Sequence, residues 1–221
     1  MKNKNIRPEY YLITKNFLTG NNIFVSPLLN QEDEERKTVG LAFLVNAPAD
    51  YKNTNSNVIS VFLDKQGFER DLLNKSYQIQ CHEPCDNRAF NNWAERAIKI
   101  FNLTNTCGII SLDFNDLVEM LEASKNQRLV FKTFAASRII DGINTLEELA
   151  NSRNILAYLT SPKDITLQEF QAICDAIIAS QTDKKTNLHT AYFEWPEALV
   201  TEVSILYAKK NNYNISIKNG I

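Results

Sequence analysis

The chain has 221 residues, 44% of them hydrophobic and 23% charged, which is enough apolar material for at least one full core and excludes wholesale disorder. Its 24 basic residues are balanced by 26 acidic ones, a formal charge of −2, so no global field draws in DNA, RNA or anionic lipid. No apolar stretch follows the charged start and none approaches about 18 residues, so neither a signal peptide nor a membrane span is expected, and a cytoplasmic address is.

In chain order, the first 35 residues are read as an N-terminal extension. They mix an aromatic patch at Tyr10-Tyr-Leu-Ile13 with a charged end that continues to Lys37, a solvated helix start or linker. Val39 to Val45 is a nearly continuous apolar run closed by Asn46-Ala-Pro48, which predicts a strand buried on both faces as in a parallel sheet. After a polar loop, Val58 to Leu63 repeats that signal and Tyr77 to Cys81 gives a weaker one. Asn91 is read as the cap of a helix whose Trp93, Ala97, Ile100 and Phe101 share a stripe.

Thr106 to Leu121 opens as a short apolar stretch and turns into a helix with Phe114, Leu117, Val118 and Leu121 on one face and Asp113 as N-cap. A strand follows at Leu129 to Ala135, a short helix at Thr145 to Leu149, and a buried strand at Asn154 to Thr160. Thr166 and Glu169 have capping-box spacing and launch a helix with Leu167, Phe170, Ile173 and Ile177 inward. Leu188 to Trp195 and Val200 to Ala208 alternate as strands, and a last strand is read at Tyr213 to Ile217. Interleaved strands and helices make the fold class α/β or α+β. Tyr192, Phe193 and Trp195 point to opposite sides of their strand, so one side is offered as an interface.

Motifs for independent chemistry are sparse. The six glycines, at 20, 40, 67, 108, 142 and 220, are too scattered to build a phosphate cradle. The four cysteines, at 81, 85, 107 and 174, lack zinc-ribbon spacing and read as reduced thiols. Cys81, His82 and Cys85 pack potential metal ligands into five residues, but a tetrahedral site needs ligands from separated segments and the other histidine, His189, is far along the chain. They are candidate ligands only in that weak sense; a strand end with a Pro-directed turn is the simpler reading. No Gly-x-Ser-x-Gly elbow accompanies any serine. Asp113 and Asp116 read first as helix caps, each able to accept first-turn amide hydrogens.

The segment Gly108-Ile-Ile-Ser-Leu-Asp113-Phe-Asn-Asp116 resembles the catalytic loop of the bacterial division tubulin homologue FtsZ, in which Gly-Leu-x-Asn-x-Asp-Phe-x-Asp precedes a helix. The helix from Asn91 to Phe101 looks like the family's segment leading into that loop. The stretch from Asn154 to Glu169 is similar to the family's strand ending in Asn-Ile-Thr-Gly-Gly followed by Asp-Leu-x-Leu-x-Glu, and Glu202-Val-Ser-Ile-Leu-Tyr-Ala resembles its Glu-Val-x-Val-Thr-Val-Ile-Ala. The resemblance runs over roughly residues 90 to 208.

It implies a truncated tubulin/FtsZ-like architecture. Residues 36–105 would be a remnant of the nucleotide-binding domain, with Val39 to Val45 as one of its strands, and residues 106–221 the mixed-sheet second domain. It also implies that Asp113 and Asp116 are candidates for acting in trans, since such carboxylates in tubulin-like filaments enter the neighbour's nucleotide site and polarise the attacking water.

The departures are specific. Ser111 replaces the family's asparagine, Ser161-Pro162 replaces its two glycines, and the stretch between Leu121 and Ile155 is shorter. The Gly-Gly-Gly-Thr-Gly-Thr/Ser-Gly phosphate loop has no counterpart; the chain is read as starting too late to contain it. A triphosphate needs several amide N–H groups turned to one side at close range, which glycine permits. Weak or no GTP binding is therefore expected, with no cofactor and no GTPase activity, and with a protein partner or self-association as the role. The rival readings are a small metal-dependent α/β enzyme using Asp113, Asp116 and Asp164, or a plain oligomeric adaptor.

Overall fold

The computed structural model describes residues 10–16, 22–25, 39–52, 58–105, 108–124, 127–140, 149, 152–181, 185–196 and 198–209. Its strands are β1 (Tyr10–Asn16), β2 (Asn22–Val25), β3 (Val39–Val45), β4 (Val58–Asp64), β5 (Ser76–Cys81), β6 (Arg128–Ala135), β7 (Asn154–Ser161), β8 (Asn187–Glu194) and β9 (Glu202–Lys209). The α-helices are α1 (Asn87–Asn102), α2 (Phe114–Ala123), α3 (Ala136–Ile140) and α4 (Leu167–Ala179).

The described strands form one nine-stranded sheet in the order β2-β1-β3-β4-β5-β6-β9-β7-β8. Five of them, β1, β3, β4, β5 and β6, are parallel neighbours in that order, while β2 runs antiparallel to β1. On the other side of β6, β9 is antiparallel to both β6 and β7, and β7 is parallel to the edge strand β8. The sheet is therefore mixed.

Helices cover much of both faces, which is why the central strands read as unbroken apolar runs. On one face Leu41, Phe43, Val61, Leu63, Ile79, Phe131, Tyr158 and Leu206 pack against α1 and α2. Phe101 of α1 is the hub there: its ring stacks on Phe43 at 5.7 Å, and lies 5.2 Å from Phe131 and 6.2 Å from Tyr158. On the opposite face Val130, Phe134, Ile155, Ala157, Leu159, Val203 and Ile205 pack against α3 and α4. The side chains of Tyr192 and Phe193 divide between these two cores, and both are buried. Neither Tyr192 nor Phe193 therefore presents an open face for the interface expected on one side of that strand.

Several element boundaries differ from the sequence reading. Residues 10–16 and 22–25, placed in the extension, form strands, and β1 pairs with β3 in register from Tyr10↔Val39 to Asn16↔Val45. The run Tyr-Tyr-Leu-Ile-Thr is rich in residues that favour strands. Helix α1 starts before Asn91: Asp86 is its N-cap, accepting from Ala89 N at 2.8 Å, while Asn91 lies within the helix and donates to Glu95 at 2.6 Å. Leu167 is 76% exposed because it is the first residue of α4, ahead of the turns that carry Ile173 and Ile177 onto the sheet. Helix α3 has no counterpart in the sequence pattern, and the strand read at Tyr213 to Ile217 and most of the helix read at Thr145 to Leu149 lie outside the described residues.

Candidate functional site

The loop that resembles the FtsZ catalytic loop sits at the β8 edge of the sheet. Ile110 forms an antiparallel bridge with Tyr192, in which Tyr192 N donates to Ile110 O at 2.8 Å and Ile109 N donates to Tyr192 O at 3.1 Å. Gly108 makes this approach possible. A Cβ there would stand 2.6 Å from Phe193 Cε1 and 2.8 Å from the Tyr192 carbonyl oxygen, inside any tolerable contact. Leu112 and Phe114 are buried and anchor the far end of the loop, whereas Ile109 between the two anchor points is 62% exposed.

Asp113 then caps α2. Its Oδ1 accepts the amide hydrogen of Asp116 at 3.0 Å, and Asp116 Oδ2 accepts that of Asp113 at 2.8 Å, a reciprocal capping box. The local reading of both aspartates as caps is therefore realised. The box leaves Asp113 exposed and Asp116 half-buried.

The second oxygen of Asp116 lies 3.6 Å from Nδ1 of His189 on β8. The fully buried Tyr158 is also within electrostatic reach: burial first, and the Asp116 charge second, hold its phenol protonated well above the ordinary tyrosine range. Its hydroxyl has no hydrogen-bond partner among the described residues. Sequence spacing could not pair His189 with Asp116, because they are joined only by the packing of α2 on the β7–β8 part of the sheet.

The other candidates stay apart. Cys81 ends β5 and Cys85 precedes the α1 cap, with their sulfurs 3.7 Å apart. Burial, partly offset by the Glu83 amide, pushes the Cys81 thiol up to about 11. His82 Nε2 faces Glu83 at 3.8 Å. Asp164 belongs to the loop whose Lys163 carbonyl and Ile165 amide bond the Tyr192 hydroxyl, at 3.2 Å and 3.1 Å. Among the described residues no three His, Cys, Asp or Glu side chains are grouped to hold a metal ion, neither around Cys81, His82 and Cys85 nor around Asp113, Asp116 and Asp164.

A feature that sequence reasoning missed lies beyond the carboxyl ends of β3 and β4, where open α/β sheets bind ligands. The Arg70 guanidinium binds Asp64, the last residue of β4, through two hydrogen bonds of 2.6 Å and 2.7 Å, and both side chains are 2% exposed. It also donates to the carbonyls of Ala47 and Pro48 immediately after β3, the latter at 2.7 Å. The rings of Phe62 and Phe68 lie 4.4 Å and 4.8 Å from its central carbon. Gln78 adds a third donor to Asp64 at 2.8 Å. Here the turn after β3 directs carbonyl oxygens at an internal cation. In the sequence, Asp64 to Arg70 looks like an ordinary polar loop.

No family model matches the sequence, and no curated protein matches it. Solved structures do. An FtsZ dimer from M. jannaschii, described as empty, aligns with a TM-score of 0.53 at 12% identity, over 80% of this chain and 64% of that one. The fold is FtsZ-like. A tryptophan-to-tyrosine mutant of the same FtsZ aligns at 0.54 and 10% identity over 80% of this chain and 67% of that one. CetZ from Methanosaeta thermophila aligns at 0.51 and 10% identity over 76% and 61%.

The chain thus spans less than two thirds of the length of the FtsZ dimer subunit. The mixed α/β architecture and the resemblance to the FtsZ/tubulin group both agree with this likeness, which at such identities is one of fold. Among the described residues no helix is long and apolar enough to cross a membrane.

Proposed function

We propose that the chain is a reduced FtsZ/tubulin-like protein without GTPase activity of its own, acting as a structural, assembly or regulatory partner that presents its 108–116 loop to another subunit. In this reading the β2-β1-β3-β4-β5 part of the sheet with α1, up to residue 105, corresponds to a nucleotide-binding domain, residues 106–221 are the second domain, and the setting is cytoplasmic.

One observation carries the proposal: the acidic loop is pinned to the β8 edge at Gly108 and Ile110 and by the buried Leu112, yet keeps Asp113 and Ile109 at the surface. A loop held in this way can dock without a large ordering cost. The Arg70 clamp supports the absence of a phosphate grip at the turn after β3, because a phosphate needs convergent amide hydrogens and this turn offers carbonyls to an arginine already occupied by Asp64. That a solved protein of this fold is an FtsZ dimer supports association between like subunits.

Mixing the protein with a polymerising FtsZ and measuring filament length and GTP turnover tests the proposal. A change in either is expected, and it is expected to be lost in the double variant Asp113→Asn/Asp116→Asn, which keeps the capping oxygens and removes both charges. No change in filament length or turnover with the unaltered protein would retire the docking role.

A further inference from the structure

We infer that Cys81 and Cys85 form a redox-modification site, a local dithiol that a hydroperoxide converts reversibly into an intramolecular disulfide. The inference is independent of the proposed docking role. The two sulfurs are already in contact at 3.7 Å, against about 2.05 Å for a bonded pair. The gap is closed by small rotations if at least one cysteine lies on adaptable backbone. Cys81 is fixed at the end of β5, but residues 82–86 between the strand and α1 are in neither helix nor strand, so Cys85 can approach it.

Exposure divides the roles. Cys81 is 7% exposed and belongs to the core beneath α1, whereas Cys85 is only partly buried. Peroxide therefore meets Cys85 first. Its thiolate attacks one peroxide oxygen, the O–O bond breaks, and Cys85 becomes a sulfenic acid as hydroxide leaves and takes up the thiol proton as water. The Cys81 sulfur then attacks the Cys85 sulfur; the S–O bond breaks, and the departing hydroxide takes the Cys81 proton as a second water. Two thiols have been oxidised to one disulfide and the peroxide reduced to two waters. A dithiol reductant reverses the change by exchange. Cys174, the other cysteine among the described residues, lies on α4 against the opposite face of the sheet, outside this pair.

The test uses the purified, reduced, full chain and hydrogen peroxide, followed by alkylation under denaturing conditions, trypsin digestion and mass spectrometry. Cleavage after Lys75 and Arg88 releases a peptide that contains Cys81 and Cys85 and no other cysteine. After peroxide this peptide is expected to lose both alkylation sites and two hydrogens, and to recover both sites when dithiothreitol precedes alkylation. In Cys81→Ser, Cys85 is expected to run on to the sulfinic acid, since the resolving thiol is gone. The inference is overturned if the wild-type peptide keeps both thiols, or if Cys85 is over-oxidised while Cys81 remains alkylatable. The wild-type measurement decides the matter even if the variant fails to fold.

Discussion

Asp113 and Asp116 exchange hydrogen bonds, each carboxylate accepting the other's main-chain amide, at 3.0 Å and 2.8 Å. The acidic pair that draws attention as potential chemistry is thereby also the start of α2. Replacing Asp113 by alanine removes a cap and is expected to lower stability by about 0.5–2 kcal/mol in urea unfolding, whereas asparagine, which keeps the acceptor, should cost at most a few tenths. Equal losses in the two variants would show that charge, and not the cap, holds this helix end.

Gly108→Ala tests the anchorage of the loop. The added methyl would meet the Tyr192 carbonyl and the Phe193 ring, so the loop must lift from β8 at a cost of about 1–3 kcal/mol. Amide exchange at Tyr192, whose N–H is held by Ile110 at 2.8 Å, is the sensitive probe. It should accelerate in the variant. An unchanged rate would mean that the bridge does not depend on glycine.

Arg70→Ala leaves Asp64 buried without its cation and leaves the Ala47 and Pro48 carbonyls without their donor. Breaking one side of a buried ion pair costs about 3–5 kcal/mol. The double variant Arg70→Leu/Asp64→Leu should recover part of that loss, because no buried charge is left behind. Chemical denaturation of the two proteins checks the order; a double variant less stable than Arg70→Ala would contradict it.

Glu169 gives a pH signature. Its carboxylate accepts hydrogen bonds from the Thr166 amide at 2.7 Å and the Thr166 hydroxyl at 2.9 Å. Those bonds hold its pKa below the ordinary value of 4.5, the amide contributing most. A depressed carboxylate contributes stability that is present above its unfolded pKa and is lost as pH falls through the folded one. The α4 capping box should therefore weaken below about pH 4.5 and stay constant above it. Unfolding of Glu169→Gln compared with the parent should show the difference shrinking on acidification through that range.

The parts of the fold legible in the sequence were those written in local pattern. The apolar runs of β3, β4 and β7, the stripe of α2 and the Thr166–Glu169 box each announce themselves within one element. Pairing between distant segments was not legible. Nothing local brings His189 to Asp116, since that contact exists only because α2 lies across the β7–β8 part of the sheet. Arg70 was hidden for a similar reason: a guanidinium in a polar loop becomes a buried clamp only when Asp64, Ala47 and Pro48 converge on it. The start of α1 is ambiguous in the sequence because Asn91, Asn87 and Asp86 all suit a cap, and only backbone geometry chooses Asp86.

On the proposed reading, the 108–116 loop serves a partner and the chain has no grip on a triphosphate. Isothermal titration of the purified protein with GTP tests it most directly. The expected result is no binding, or only weak binding, with no heat attributable to a submicromolar site; a submicromolar GTP affinity would contradict it.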